Sequence, residues 1–445
     1  MGDGPDVAWG RMTAEVSLDV EAVKARWQSN RGRSRALFRE ILDAEAYWER
    51  PIPLRHPFVF YEGHLSAFAA RMLKPTCARL QAIDPALESL FDRGVDPQDA
   101  TGVPSLEWPE RARIEEFVSR VDEAVEKTFE DGLADSAGKA VHTALEHEEM
   151  HQETLLYMLH RVPYSRKRKP AGTPSHELDS SPAPASRIEI PAGSATLGAP
   201  DGELPFGWDN EFPATRVDVA AFDVDARPVT NDQWLEFVEA GGYGEERWWT
   251  PEGFAWVRGE AVRQPAFWVN RDGSWFWRAQ FEEVPLPGSW PVWVSHAEAT
   301  AYSVWKGRRL PTEAEYHRAA FGRPDGGESG QPWGDEADGG RFGNFGAVRF
   351  DPVPVGARSA GTGAWGVEEL VGNGWEWTST PFEGFPGFRP MASYPGYSAD
   401  FFDGRHFVMK GASPATPLPL VRRSFRNWFQ PHYPYVYAKF RTVGR

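Results

Sequence analysis

Between residues 20 and 165 apolar and charged positions alternate with a helical period. In 107–131 (EWPERARIEEFVSRVDEAVEKTFED), Ile114, Phe117, Val118, Val121 and Val125 recur at three- and four-residue spacings among charges, which predicts an amphipathic helix. Residues 138–162 (GKAVHTALEHEEMHQETLLYMLHRV) repeat the pattern behind Asp135 and Ser136, two residues able to cap its start. Segments 33–48 and 61–82 predict two more helices, and four of this length over 20–165 close into a four-helix bundle. Past this point the period is lost. Residues 166–186, rich in Pro, Ser and Ala, read as a linker. From 187 to 445 apolar residues come in short runs broken by Gly and Pro, and 16 of the 20 tryptophans lie there. Helices are expected only at stretches such as 230–239 and 295–306, within irregular structure around a small sheet. No internal repeat is found, and the fold class expected is α+β.

Composition narrows the reading. The 445 residues give room for two or three domains, and 41% hydrophobic with 25% charged residues is an ordinary globular balance. No run of 18 apolar residues predicts a membrane span. The opening MGDGPDVAWGRM lacks the charged and apolar regions of a secretory signal, so a cytosolic protein is expected. With 48 basic against 64 acidic residues the net charge is −16, which disfavours nucleic acid as a partner. The basic run SRKRK (165–169) reads as part of the solvated linker. The single cysteine, Cys77, forms neither an internal disulfide nor a CxxC metal site. It reads as a small buried residue on the helix that follows His64, with no activating base beside it.

The candidate chemistry lies in the histidines. His147 and His151 stand four apart in the strongest helix, so their imidazoles project from one face about one turn apart. Ala140, Thr143, Met150, Thr154, Leu155 and Met158 share that face, which makes it the inward one. Buried imidazoles need partners, either hydrogen bonds or a shared metal ion. Glu153, two residues past His151, sits about 200° round the helix and cannot easily bind the same ion; it is expected behind the ligands. A third ligand must come from another helix, and His64 in HPFVFYEGHLSAFAARML is the best candidate. Three neutral imidazoles suit Zn, Fe, Cu or Ni, and spacing does not choose among them.

The run His147-Glu-Glu-Met-His151-Gln-Glu153, with Gly63-His64 upstream, resembles the HxxxHxE signature of the DinB-type bundle in ergothioneine-biosynthetic sulfoxide synthases. The second half resembles the formylglycine-generating-enzyme-like, C-type-lectin-like domain fused to that bundle. The matching stretches are PVTNDQWLEFV (228–238), PVWVSHAEATAYSVWKGRRLPTEAEYHRAA (291–320), GVEELVGNGWEWTST (366–380) and YAKFR (437–441). The resemblance implies a mononuclear non-heme Fe(II) held by His64, His147 and His151. It further implies O2-dependent joining of a thiol, cysteine or γ-glutamylcysteine, to the imidazole of hercynine or histidine as a sulfoxide. The active site is then expected between the two domains, where ligand sites are common. The second domain is not itself a formylglycine-generating enzyme, because it lacks their copper-binding cysteine pair. Met150 replaces a substrate-facing glutamine, and Asn427 and Trp428 fall where the family surrounds the betaine. An aromatic wall there suits a trimethylammonium group.

The departures bear on the substrate. Where the family carries a proton-donating tyrosine after EWT, the nearest positions here are Phe382 and Phe385. A phenylalanine cannot act as an acid, which makes Tyr433 or Tyr435 the substitute unless the product differs. An aspartate that follows RNW in the family is replaced by Phe429 and Gln430, and the usual GGSW reads Gly411-Ala412-Ser413-Pro414. These changes leave room for a selenium donor, as in a selenoneine synthase, or for thiol dioxygenation. A reading from another class is a lectin-like binding protein with a dead metal site, which the three retained histidines argue against. Zinc-dependent hydrolysis is disfavoured by the pocket-building second domain.

Overall fold

A computed structural model describes residues 18–81, 83–92, 107–133, 135–178, 186–336 and 339–444. The opening residues 1–12 and the linker residues 179–185 lie outside it. The helical half contains α1 (Val20–Ala36), α2 (Phe58–Leu73), the short α3 (Pro85–Phe91), α4 (Arg111–Asp131) and α5 (Gly138–Arg161).

α4 follows its apolar period: Ile114, Phe117, Val118, Val121 and Val125 are all buried. α2 runs through the centre, with every residue except Arg71 buried, and packs on α3, α4 and α5. α1 departs from expectation, starting at Val20 rather than residue 33 and passing into a five-residue π-helix, Leu37–Ile41. Its buried face is apolar at Val23 and Trp27 but polar at Asn30, Arg31 and Ser34. Arg31 and Ser34 there hydrogen-bond Glu148 of α5, at 3.1 and 2.6 Å. Because those inward residues are polar, no apolar stripe marks the helix in the sequence. α2 ends at Leu73, well short of residue 82, so Cys77 lies past the helix. Its buried sulfur is 2.7 Å from Thr128 Oγ1 and serves packing. α5 begins directly after a single turn (Asp135–Ala137), and the residue at its N-cap position is Ala137.

The basic run 165–169 is structured rather than solvated linker. Lys167 is buried, pairs through its backbone with Leu42, and donates from Nζ to Leu159 O at 2.8 Å. Burial lowers its pKa to about 7. Arg166 bridges Asp43, Glu45 and Glu49. Farther along, Glu177 O accepts from Trp290 Nε1 at 2.8 Å, so this stretch too packs on the second half.

The second half contains small sheets. β1 (Arg187–Ile190) pairs with β4 (Phe222–Asp225), and β2 (Gly193–Leu197) with β3 (Thr215–Val219). β5 (Trp268–Arg271), β6 (Ser274–Arg278) and β7 (Glu283–Pro285) form an antiparallel meander. The largest sheet has the order β10 (Asn427–Phe429), β9 (Phe407–Ala412), β8 (Gly374–Pro381), β11 (Ala438–Lys439), with β11 parallel to β8. Helices α6 (Asn231–Glu239), α7 (Pro251–Gly259), α8 (His296–Trp305) and α9 (Glu313–Phe321) pack around them. Thr230 with Gln233 and Ser295 with Glu298 form capping boxes that fix where α6 and α8 begin. The architecture is α+β, and one apolar core runs continuously from the helical half into the second. Among the described residues no helix is long and apolar enough to cross a membrane.

Candidate metal centre

α2 and α5 bring His64, His147 and His151 together, and their ligand nitrogens all lie within 4.8 Å of one another. His64 Nδ1 donates to the Phe91 carbonyl at 2.7 Å, which fixes the tautomer and leaves Nε2 with its lone pair toward the cluster. Gly63 makes this possible: a Cβ there would stand 2.4 Å from the Phe91 ring. His147 is held flat on Phe68, with ring centroids 3.4 Å apart and planes at 6°. His147 Nε2 and His151 Nε2 are 3.2 Å apart. Two imidazole nitrogens bound cis to one ion at about 2.1 Å would stand about 3 Å apart, so this spacing fits a shared metal.

Burial pushes the His64 pKa down to about 4 and those of His147 and His151 well below the usual histidine value. Neutral imidazoles are the form a metal requires. His151 Nδ1 is buried without a hydrogen-bond partner among the described residues.

The cluster opens into a cavity of about 320 Å³ between α5 and the second half of the chain. His147, Met150, His151, Thr154 and Tyr157 line it from α5; Trp375, Asn427, Trp428, Phe429, Gln430 and Tyr433 line it from the other side. Glu153 also borders it but touches no histidine ligand. Its buried carboxylate accepts from Trp375 Nε1 (2.7 Å), Ser413 Oγ (2.6 Å) and Thr416 Oγ1 (2.9 Å), tying α5 to the second domain. Desolvation raises its pKa. Glu146, just before His147, makes a matching tie: Trp208 Nε1 and both terminal nitrogens of Arg422 donate to it at 2.9 Å. The ligand-bearing turn of α5 is thus fastened at both ends.

Besides His64, three candidate residues fall outside the cavity wall. Phe382 is fully buried behind it, stacked on Trp428 at 4.1 Å. Phe385 packs under Arg426, with the guanidinium 4.3 Å from its ring. Tyr435 points away to Arg161, at 5.6 Å, and meets Tyr433 edge-on. Residue order suggested these positions, but Phe382 and Phe385 follow β8 and Tyr435 lies past β10, in irregular backbone where sequence spacing does not set side-chain direction.

Sequence reasoning missed Arg55, Tyr157, Tyr394 and Tyr397. Tyr157 follows Met150 by seven and Thr154 by three residues on a helix already identified, so its periodicity could have revealed it. The others lie in irregular segments, where no spacing rule applies. Tyr397 stacks on Trp208 at 3.9 Å and its hydroxyl meets Met150 Sδ at 3.2 Å.

Residues 174–445 match the family model of the sulfatase-modifying factor enzyme 1-like domain. A hercynine oxygenase of Mycolicibacterium thermoresistibile is 36% identical over 373 residues, covering 81% of this chain and 80% of that protein. The chain belongs to the ergothioneine-biosynthesis sulfoxide synthase family. A second family member, the hercynine oxygenase of Mycolicibacterium smegmatis, is 38% identical over 312 residues, 67% of this chain and 69% of that one. The ergothioneine biosynthesis protein 1 of Neurospora crassa is 28% identical over 519 residues and matches 96% of this chain but 57% of its own length. The formylglycine-generating-enzyme-like half expected from the sequence is therefore present, and its family match begins at residue 174, within the stretch read as linker.

Proposed function

We propose that this chain is a mononuclear non-heme Fe(II), O2-dependent enzyme that couples a thiol to the imidazole of hercynine or histidine as a sulfoxide. The observation that carries this reading is the three-histidine cluster, two of whose members face a cavity walled by the second domain. In this reading His64, His147 and His151 hold the iron on a DinB-like bundle, and the iron supplies activation of O2. The balance is one C–H and one S–H replaced by a C–S bond, with one oxygen atom on sulfur and the other leaving as water.

The protein's own residues bind, orient and enclose. Trp428, Tyr397 and Phe401, with centroids 5.4 and 5.6 Å from Trp428, form an aromatic corner suited to a trimethylammonium group. Asn427 and Gln430 add polar contacts at the same wall. Phe382, lacking a hydroxyl and shut behind Trp428, leaves proton transfer to a phenol that reaches the cavity, Tyr433 being the candidate named by sequence.

The test is anaerobic Fe(II) reconstitution, then hercynine with cysteine, γ-glutamylcysteine or a selenosugar under O2, with products read by mass spectrometry. A hercynine adduct carrying sulfur and one oxygen is expected. Oxidised thiol beside unchanged hercynine would refute the coupling and point to thiol dioxygenation; an adduct with selenium alone would reassign the donor.

A further inference from the structure

The protein brings its own oxidisable sulfur to the cavity. Cys77 is buried against Thr128 in the helical half. Met72, Met158, Met391 and Met409 are 7%, 0%, 4% and 0% exposed. Met150 alone among the methionines of the described residues is half-buried, and it lines the cavity wall. It directly precedes His151 and follows His147 by three residues, so it shares the ligand-bearing turn of α5. The cavity reaches solvent at Arg405, whose side chain is 72% exposed, so a small polar molecule can enter to the thioether.

The sulfur meets a fixed donor. The Tyr397 hydroxyl stands 3.2 Å from Met150 Sδ. Its ring lies against Trp208, with centroids 3.9 Å apart and planes at 24°, and meets Trp428 edge-on at 5.4 Å. Trp208 is itself anchored by its indole N–H on Glu146 at 2.9 Å. A thioether is a weak acceptor and a sulfoxide oxygen a strong one, so oxidation gives this hydroxyl a better partner. Oxidation also makes sulfur a stereocentre, and a donor held on one side selects one of the two epimers. The rotatable bonds of methionine let the new oxygen seat without moving the helix.

We propose that Met150 is an oxidation site: hydrogen peroxide entering the cavity converts it to methionine sulfoxide, whose oxygen the Tyr397 hydroxyl holds. The peroxide O–O bond breaks as one oxygen bonds to sulfur. Sulfur loses two electrons, and the second oxygen leaves as water with both peroxide protons. The product sets a polar S=O group into the wall beside His147 and His151, so the candidate site carries a response to peroxide that is independent of the coupling reaction.

The test exposes full-length protein, kept metal-free by a chelator and shown by thermal melting to be folded, to hydrogen peroxide, then digests it for mass spectrometry. Met150 is expected to gain one oxygen at least about tenfold faster than Met72, Met158, Met391 or Met409, which packing closes off. Epimer-specific methionine sulfoxide reductases applied to the digest should find about three-quarters or more of the Met150 product in one epimer. Protein digested before oxidation should give about equal amounts, and so should folded Tyr397→Phe, which keeps the stacked ring. A Met150 rate no greater than that of the buried methionines overturns the oxidation site. Equal epimers in the unmodified protein, or an excess that Tyr397→Phe leaves intact, overturn the hold by Tyr397. The rate and epimer ratio of the unmodified protein decide the matter even where the variant does not fold.

Discussion

Replacing Glu153 by leucine separates the role of fastening the domains from that of holding metal. The substitution removes the acceptor of three hydrogen bonds, from Trp375 Nε1, Ser413 Oγ and Thr416 Oγ1. The two hydroxyl oxygens lie 3.3 Å apart and can partly satisfy each other. The indole N–H cannot, and a buried donor without an acceptor costs about 1–3 kcal/mol. Losing the two hydroxyl bonds adds about 1 kcal/mol each. Relief of the carboxylate's desolvation, the cause of its raised pKa, offsets part of this. The net loss of stability expected is about 2–4 kcal/mol for Glu153→Leu and about 1–2 kcal/mol for Glu153→Gln, whose amide oxygen still accepts. Urea unfolding followed by tryptophan fluorescence measures this as a lower midpoint at unchanged slope. Iron per folded chain should stay near the unmodified value, since Glu153 touches no ligand. A Glu153→Leu protein as stable as the original, or one that loses iron without losing stability, would refute the reasoning.

His151→Ala should drop iron to below about a tenth of an equivalent per chain and abolish coupling; a variant that kept both would remove His151 from the ligand set. Gly63→Ala should push the fully buried Phe91 aside, costing about 1–3 kcal/mol and weakening iron retention about tenfold or more against a chelator, because the Phe91 carbonyl holds His64. Glu369 is buried, and desolvation raises its pKa from 4.5 to about 7. Its folded-state pKa exceeds the unfolded one, so its contribution is fully present below about pH 4.5 and is lost as pH rises through about 7. Glu369→Gln should therefore flatten the fall in stability between those values, measured by urea midpoints across pH; an unchanged slope would refute it.

The sequence by itself determined the elements whose periodicity faces an apolar core. α4 and α5 are written as stripes of Ile, Val, Phe and Leu, and the i, i+4 histidine pair needs only helix geometry to share a face. Gln233 and Glu298, three residues after Thr230 and Ser295, fixed the starts of α6 and α8 locally. The shift in composition near residue 186 marked a change of architecture, though the packed chain from 166 to 178 shows that Pro and Ser content alone does not make a free linker. The tertiary structure decided the rest. α1 hides polar residues that only α5 and its carboxylates could satisfy, so no apolar pattern announced them. Helix geometry alone turned Glu153 about 200° away from His151, but its partners, donors more than 200 residues away in sequence, were set only by the fold. Phe382 and Phe385 fell behind the wall while Arg55, Tyr394 and Tyr397 entered it, because irregular backbone follows no period and side-chain direction there is set by what each residue packs against.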